Sequence, residues 1–510
     1  MKHAHRLISK VDPRGYSLGY SYDAANRRTA LTISGPGLTK TIKYGYYDDD
    51  MPKFLSDEVG EADLGFDALG NLSTVKYPNG VQSVYSYLQP TNSLASIVHK
   101  NPSGQVLAQV GYGYDCVSDR TSQTTLLGTT NYGYDDLRRL VSVGNPNGNS
   151  ESFTYDVLGN RLSKHSSVGV INYSYDAASQ LLQTGNSSYA YDGNGATTTK
   201  GASSFAYDKF GRLNRITPGT GSATSFNYNA FGQLDNVIKS TGTCSILYDG
   251  YNRLLDLDGS GKTTAVYMGL LGAFWKEKGA NSVFYHFDGQ GNVLALSNAS
   301  GELLNTYAYE AFGKDLNLSS DAQNSLRFGG GLGLFTDDAS GLVYMRARFY
   351  DPSIGRFLSV DPLALSLGTG LYAYAGNNPV NYSDPSGFDP VVGAIIGGIS
   401  GGTGASRAGA GAGTVVAAVL VGALVGGFVG SLDLSNLGAA AAAGAAGEAT
   451  AEVFTGQSLS GSNMALAGVT GAVSVAAGGL APDPVTGSAI SAMLDALGSQ
   501  LRGLASACGM

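Results

Sequence analysis

The chain has 510 residues, 14% of them charged, with 73 glycines, 31 tyrosines and a formal net charge of −8. Low charge with abundant Tyr, Gly, Ser, Thr and Asn favours β-hairpins over helices, and this length requires a repeat array or several cores. The acidic balance, without any basic cluster, excludes a nucleic-acid-binding footprint.

The three cysteines (Cys116, Cys244, Cys508) are odd in number and share no ligand spacing, which predicts no disulfide framework. The five histidines are scattered, and neither a metal nor a cofactor is expected. No apolar stretch of signal-peptide type follows Met1, so secretion or surface display is expected by a route without a conventional signal peptide. A start already close to the repeat rhythm is what a piece of a longer protein would show.

From Tyr20 onward one pattern recurs: aromatic, any residue, aromatic, Asp. It reads Tyr20-Ser-Tyr22-Asp23, Tyr112-Gly-Tyr114-Asp115, Tyr132-Gly-Tyr134-Asp135, Phe153-Thr-Tyr155-Asp156, Tyr173-Ser-Tyr175-Asp176, Tyr189-Ala-Tyr191-Asp192 and Phe205-Ala-Tyr207-Asp208. Looser copies include Phe226-Asn-Tyr228-Asn229, Tyr285-His-Phe287-Asp288 and Tyr307-Ala-Tyr309-Glu310. Self-similarity at a fixed period is the signature of a repeat architecture. Two aromatics at a spacing of two lie on the same face of a strand. The Asp starts a turn with its own carboxylate, and a glycine three residues later, as in Asp156…Gly159 and Asp208…Gly211, supplies a left-handed position. Each unit is therefore a hairpin, and one hairpin alone is marginal in water. Stacked hairpins predict a curved sheet with one face lining an interior; the excess of Tyr over Phe predicts rings with one wet edge. An aromatic surface for glycans or a row of calcium-binding carboxylates is the alternative, but the spacing matches a turn and lacks clustered acidic ligands.

This run resembles the YD-repeat, or RHS-repeat, family over roughly residues 15 to 315. The resemblance implies a long β-sheet that spirals into a hollow shell. The expected class is thus mainly β, a spiralling sheet or partial shell over residues 1–315, followed by a junction (316–388) and a Gly/Ala-rich helical region (389–510).

The junction follows a glycine-rich approach, Gly329-Gly330-Gly331 to Gly341. It carries three Asp-Pro pairs (Asp351-Pro352, Asp361-Pro362, Asp384-Pro385) among Arg346, Arg348 and Arg356. Its segments Leu342–Pro352, Gly355–Pro362, Leu371–Pro379 and Asp384–Gly387 resemble the RHS repeat-associated core domain of polymorphic toxins, motif for motif. That resemblance implies a plug for one end of the shell and, in many members, an aspartyl autoprotease. Carried over, the catalytic carboxylates are Asp361 and Asp384, and the cut falls after Phe388. The chain departs from the pattern at Ala364, where the family has Gly, and at Phe388, where Leu is usual. Two close carboxylates cannot both ionise easily, so one activates water while the other keeps a proton. Arg356 either supports a carboxylate or forms a structural ion pair. The plainer reading is that all three pairs cap tight turns.

Beyond Asp389 the composition changes. Residues 389–510 contain no His, Lys, Tyr or Trp, and their basic residues are Arg407 and Arg502. No enzymatic toxin is expected there. The segment carries Gly393, Gly397 and Gly401, then Gly422, Gly426 and Gly430, the second set within an uncharged run from Ala408 to Leu432. Small residues every four positions let helices approach closely in lipid, and the run is long enough to span a bilayer. A membrane-active segment and a helical linker enclosed by the shell both remain open. The expectation is a polymorphic toxin or fragment, with its own C-terminal region as cargo, an immunity protein as partner, and a membrane or glycan as target. The alternative is a non-catalytic cell-surface repeat protein that binds glycans or partner cells.

Overall fold

In the repeat turns, the Asp of each unit closes its own loop. At Asp156, Oδ1 accepts hydrogen bonds from the amides of Leu158 (2.9 Å) and Asn160 (2.8 Å), and Oδ2 accepts from the Asn160 side chain (3.0 Å). Asp23 pairs in the same way with Arg27, Asp208 with Arg212 and Asp288 with Asn292. The position before that partner is left-handed, at φ 82° for Gly159 and 77° for Gly211. Asn26, Arg138 and Ser179 take the same conformation with a side chain, at a cost of roughly 1–2 kcal/mol each. The carboxylates are thus consumed by their own turns, which accounts for the motif without calcium.

The computed structural model describes residues 7–279, 281–316, 324–361 and 370–388, and the backbone of 391–392. Among these, the hairpins join into one antiparallel sheet of 30 strands, from β1 (Ser9–Val11) to β30 (Leu303–Thr306), in which each strand pairs with the next in sequence. The ladder shifts register at the second aromatic of the motif, for example between Thr154 and Tyr155. Such bulges increase local twist.

The first aromatic of the motif faces inward: Tyr20, Tyr112, Phe153, Tyr173, Tyr189, Phe205 and Phe226 are buried, and Tyr132 is half-buried. The second does something the composition did not reveal. Its hydroxyl donates to a backbone carbonyl of the preceding hairpin: Tyr155 to Leu140 (2.8 Å), Tyr175 to Arg161 (2.8 Å), Tyr207 to Thr197 (2.9 Å), Tyr228 to Leu213 (2.5 Å). The expected wet edge of these rings is instead a fastening between consecutive repeats.

The sheet curls back on itself. Tyr20 donates to Asp249 (2.9 Å), Tyr77 to the Tyr285 carbonyl (2.8 Å) and His99 Nε2 to the Phe287 carbonyl (2.9 Å). The first ten strands therefore bury their apolar face against strands near the far end, around Leu255, Trp275 and Phe284. The middle of the sheet meets a different cover. Phe205, Phe226 and Leu234 pack on Phe335, Tyr344, Phe349 and Leu358; Phe153 packs on Phe312 and Val380; Tyr173 and Tyr189 pack on Ile354. The segment after β30 thus lies along the sheet's inner face. It has its own small sheet of β31 (Phe335–Thr336), β32 (Val343–Met345), β33 (Arg348–Asp351) and β34 (Arg356–Phe357), and a core around Met345, Tyr350, Phe357 and Tyr374. The helical region expected beyond residue 389, including Gly393, Gly397, Gly401, Gly422, Gly426, Gly430 and the run 408–432, lies outside the described residues.

Candidate active site

β32 and β33 form a hairpin in which Met345 pairs with Arg348 across the two-residue turn Arg346-Ala347. The Arg348 guanidinium lies over the Phe357 ring, 3.6 Å from its centre. From there one nitrogen, Nη2, donates to Asp361 Oδ2 at 2.7 Å and to Asp384 Oδ2 at 3.2 Å. Its Nε donates to the carbonyl of Gly387. The sequence-expected pair, Asp361 and Asp384, is thereby brought to one point.

The backbone holds each carboxylate. Asp361 donates its amide to the Leu371 carbonyl (2.9 Å). Asp384 opens a turn whose amides it caps itself: Oδ1 accepts from Gly387 N (2.8 Å), Ser386 Oγ (3.0 Å) and Phe388 N (3.2 Å). Gly387 is required there. Its φ is +71°, and a Cβ would lie 2.2 Å from the Met345 carbonyl oxygen. Ala347 donates to the Ser386 carbonyl (3.1 Å), so the hairpin turn and the Asp384 turn lie against each other.

Arg348, Asp361 and Asp384 are all buried, whereas Phe388 is 40% exposed. Burial pushes the Asp384 carboxyl up to about 6; the Arg348 charge and the Ser386 and Gly387 hydrogen bonds oppose this, and the neighbouring Asp361 adds to it. A carboxyl titrating there is suited to carry a proton near neutral pH.

Arg356 lies elsewhere. Its guanidinium donates to Asn160 Oδ1 (3.2 Å) and the Ser179 carbonyl (2.7 Å), between the Tyr175 and Tyr372 rings. It fastens the junction segment to the repeat sheet, and the arginine that meets the carboxylates is Arg348. A signal for this was present in the sequence. Arg348 opens the strand Arg-Phe-Tyr-Asp, and a cation on so apolar a strand needs a buried anionic partner. Asp351 caps its own turn through the Ser353 amide (3.0 Å) and pairs with Lys200 (2.6 Å).

A repeat sheet with its own junction segment packed along its inner face is the arrangement expected of YD-repeat shell proteins. The family model described as Teneurin YD-shell matches residues 113–380, more than half of the chain, and the RHS Repeat model matches residues 3–35. The chain belongs to this family. Among curated relatives, the tRNA3(Ser)-specific nuclease WapA of Bacillus spizizenii is 38% identical over 152 residues, covering 28% of this chain and 6% of that protein. The double-stranded DNA deaminase toxin A of Burkholderia cenocepacia is 36% identical over 116 residues (22% and 8%). The toxin protein Tse5 of Pseudomonas aeruginosa is 36% identical over 108 residues (21% and 8%). The chain thus spans less than a tenth of the length of these relatives. The Tc holotoxin pore of Photorhabdus luminescens has the same fold over 74% of this chain and 21% of its own, with a TM-score of 0.62 at 20% identity. A TcdB2–TccC3 crystal structure gives a TM-score of 0.63 at 19% identity over 73% of this chain and 22% of its own.

Proposed function

We propose that this chain is the shell scaffold of an RHS-type toxin, and that its junction segment cuts the chain after Phe388 to free residues 389–510. The observation that carries the reading is the shared guanidinium. Arg348 holds Asp361 and Asp384 with one nitrogen while its Nε grips the carbonyl of Gly387, one residue before the bond to be cut. Asp384 is both a catalytic carboxyl and the cap of the turn that presents this bond, so the reaction is intramolecular.

In this reading Asp361, the closer of the two to Arg348, takes a proton from water as the water oxygen attacks the Phe388 carbonyl carbon. Asp384, protonated below about pH 6, gives its proton to the amide nitrogen of Asp389 as the C–N bond breaks. The step leaves a Phe388 carboxylic acid and an Asp389 amine, with Asp361 protonated and Asp384 ionised; the new carboxyl then gives its proton to the amine, and Asp361 returns its proton to Asp384, so atoms and charge balance. Arg348 is a positioning residue that keeps both carboxyls on the same side of the bond.

The names of two of the relatives, a deaminase toxin and the toxin Tse5, support the toxin part of this reading. They do not pass on a nuclease or deaminase activity, because residues 389–510 lack His, Lys, Tyr and Trp. The glycine-spaced segments favour a cargo that acts on membranes, with an immunity protein as partner. Leakage of dye-loaded liposomes by residues 389–510 tests the membrane part, and intact vesicles at micromolar protein exclude it. Intact-mass measurement of the full chain, alone and with Asp361→Asn, tests the cleavage.

A further inference from the structure

The run Gly329-Gly330-Gly331 lies against the Asp288 repeat turn near the end of the sheet. The Gly329 amide donates to Asn292 Oδ1 (2.8 Å), and the Gly331 amide donates to the Gly291 carbonyl (2.8 Å). Asn292 is itself held by Asp288 (2.8 Å), the acidic residue of that repeat. No side chain fits between. A Cβ on Gly331 would meet Phe287 at 3.0 Å, one on Gly330 would meet Val293 at 3.0 Å, and one on Gly329, at φ +63°, would meet Leu334 at 2.4 Å. The next carbonyl along this strip, Leu332 O, accepts from Arg346 Nη2 at 2.8 Å. The other end of the same guanidinium, Nη1, donates to the carbonyl of Pro385.

Arg346 thus joins two loops through main-chain carbonyls, and among the described residues no carboxylate lies within salt-bridge distance of it. It does so from a left-handed backbone, φ 56°, a conformation that side-chain-bearing residues disfavour. A partly desolvated cation in a strained conformation persists where the surroundings fix it. Here the carbonyls of Leu332 and Pro385 do so.

We infer that Arg346 is a positioning residue for the scissile turn, tying Pro385 to the glycine strip seated on the Asp288 repeat turn, so that the carboxylates meet their own peptide bond only when the end of the sheet is folded. This rests on the self-cleavage reading for its consequence, but the tie itself is separable from it. Arg348 fixes the turn at the Gly387 carbonyl and Arg346 fixes it at the Pro385 carbonyl, two residues apart. The Ala347 amide holds the Ser386 carbonyl between them, so Arg346 supplies the outermost of three ties on this turn and its loss loosens the Pro385 end. The route from repeat to site is continuous: Asp288, Asn292, Gly329, Leu332, Arg346, Pro385.

The test uses the full chain in an Asp361→Asn background, with amide hydrogen exchange read on the peptide spanning 384–388. Arg346→Gln is expected to speed exchange there at least tenfold, Asn292→Ala to act in the same direction, and Arg346→Lys to give an intermediate value by holding one carbonyl. With Asp361 intact, Arg346→Gln slows cleavage at least tenfold at every pH and moves the inflections of the pH profile less than Arg348→Met does, because Arg346 hydrogen-bonds neither carboxylate and acts on Asp384 through its charge alone. Unchanged exchange at 384–388 alongside a lowered thermal midpoint overturns the inference and makes Arg346 a general stabiliser. If Arg346→Gln fails to fold, Arg346→Lys and Asn292→Ala decide by the same exchange measurement. A parent chain that never cuts, but whose 384–388 exchange still responds, removes the protease reading and keeps the tie.

Discussion

Asp361 and Asp384 meet at a single nitrogen of Arg348, 2.7 and 3.2 Å away, although 13 and 36 residues separate them from that arginine in the chain. Sharing one donor makes their ionisation interdependent. Replacing Arg348 by Met removes the charge that opposes the rise of Asp384. Asp384 then keeps its proton to higher pH, so any residual cleavage should persist on the alkaline side where the parent's rate falls. The rate itself should drop at least tenfold, as expected when a positioned cation is lost. A pH–rate profile of both chains reads the two effects separately.

Gly387→Ala should abolish cleavage without unfolding the sheet. The added Cβ falls 2.2 Å from the Met345 carbonyl oxygen at a φ of +71°, so the Asp384 turn must move off the Arg346–Arg348 hairpin. Near-ultraviolet circular dichroism should stay close to the parent spectrum, because the aromatic clusters of the repeats lie elsewhere. A Gly387→Ala chain that cuts at the parent rate would contradict the placement of this turn.

The tyrosine fastenings predict a graded stability series. Tyr155→Phe removes the hydroxyl that donates to Leu140 O and should cost about 1 kcal/mol. Tyr228→Phe, which loses the bond to Leu213 O, should cost a similar amount. The two are far enough apart along the array for their effects to add. Urea unfolding of the single and double variants measures this, and a Phe variant as stable as the parent would return the ring to simple core filling.

Most of the architecture was legible in the repeat, because its signals are local. The Asp and the residue four positions later close one loop, and period two puts the first ring inward. The hydroxyl's destination was not legible, since the Leu140 carbonyl belongs to the preceding hairpin and no spacing rule points to it. The same limit explains Arg356. Its partners Asn160 and Ser179 lie far away in sequence, whereas Arg348 finds its carboxylates only after the hairpin folds back. Asp361 and Asp384 were reached by resemblance, which left Asp351 aside as structural; the geometry adds that the Lys200 pair and the Ser353 cap hold Asp351 in a turn.

The seam between the first and last strands should weaken in acid. His99 and His286 are both buried, with ring centres 5.2 Å apart and Tyr77 against His286. Burial lowers His99 to about 4 and His286 well below its ordinary value, where the His99 ring adds to the effect. Folded-state values below the unfolded one mean that stability is fully present above about 6.5 and declines as pH falls toward about 4. Asp384 and Glu277, raised to about 6 and about 7, act in the opposite sense. The comparison must therefore be made between parent and His99→Gln. Their difference in thermal midpoint should narrow between pH 6.5 and pH 4, and a constant difference would place the titration elsewhere.

Self-cleavage by the junction segment, as proposed above, is open to one direct measurement. Purified full-length protein, incubated at about pH 6 where Asp384 titrates, should yield by intact mass the two pieces 1–388 and 389–510. The Asp384→Asn chain should stay at 52.5 kDa. A parent chain that remains whole, or an Asp384→Asn chain cut at the same place and rate, would contradict the account.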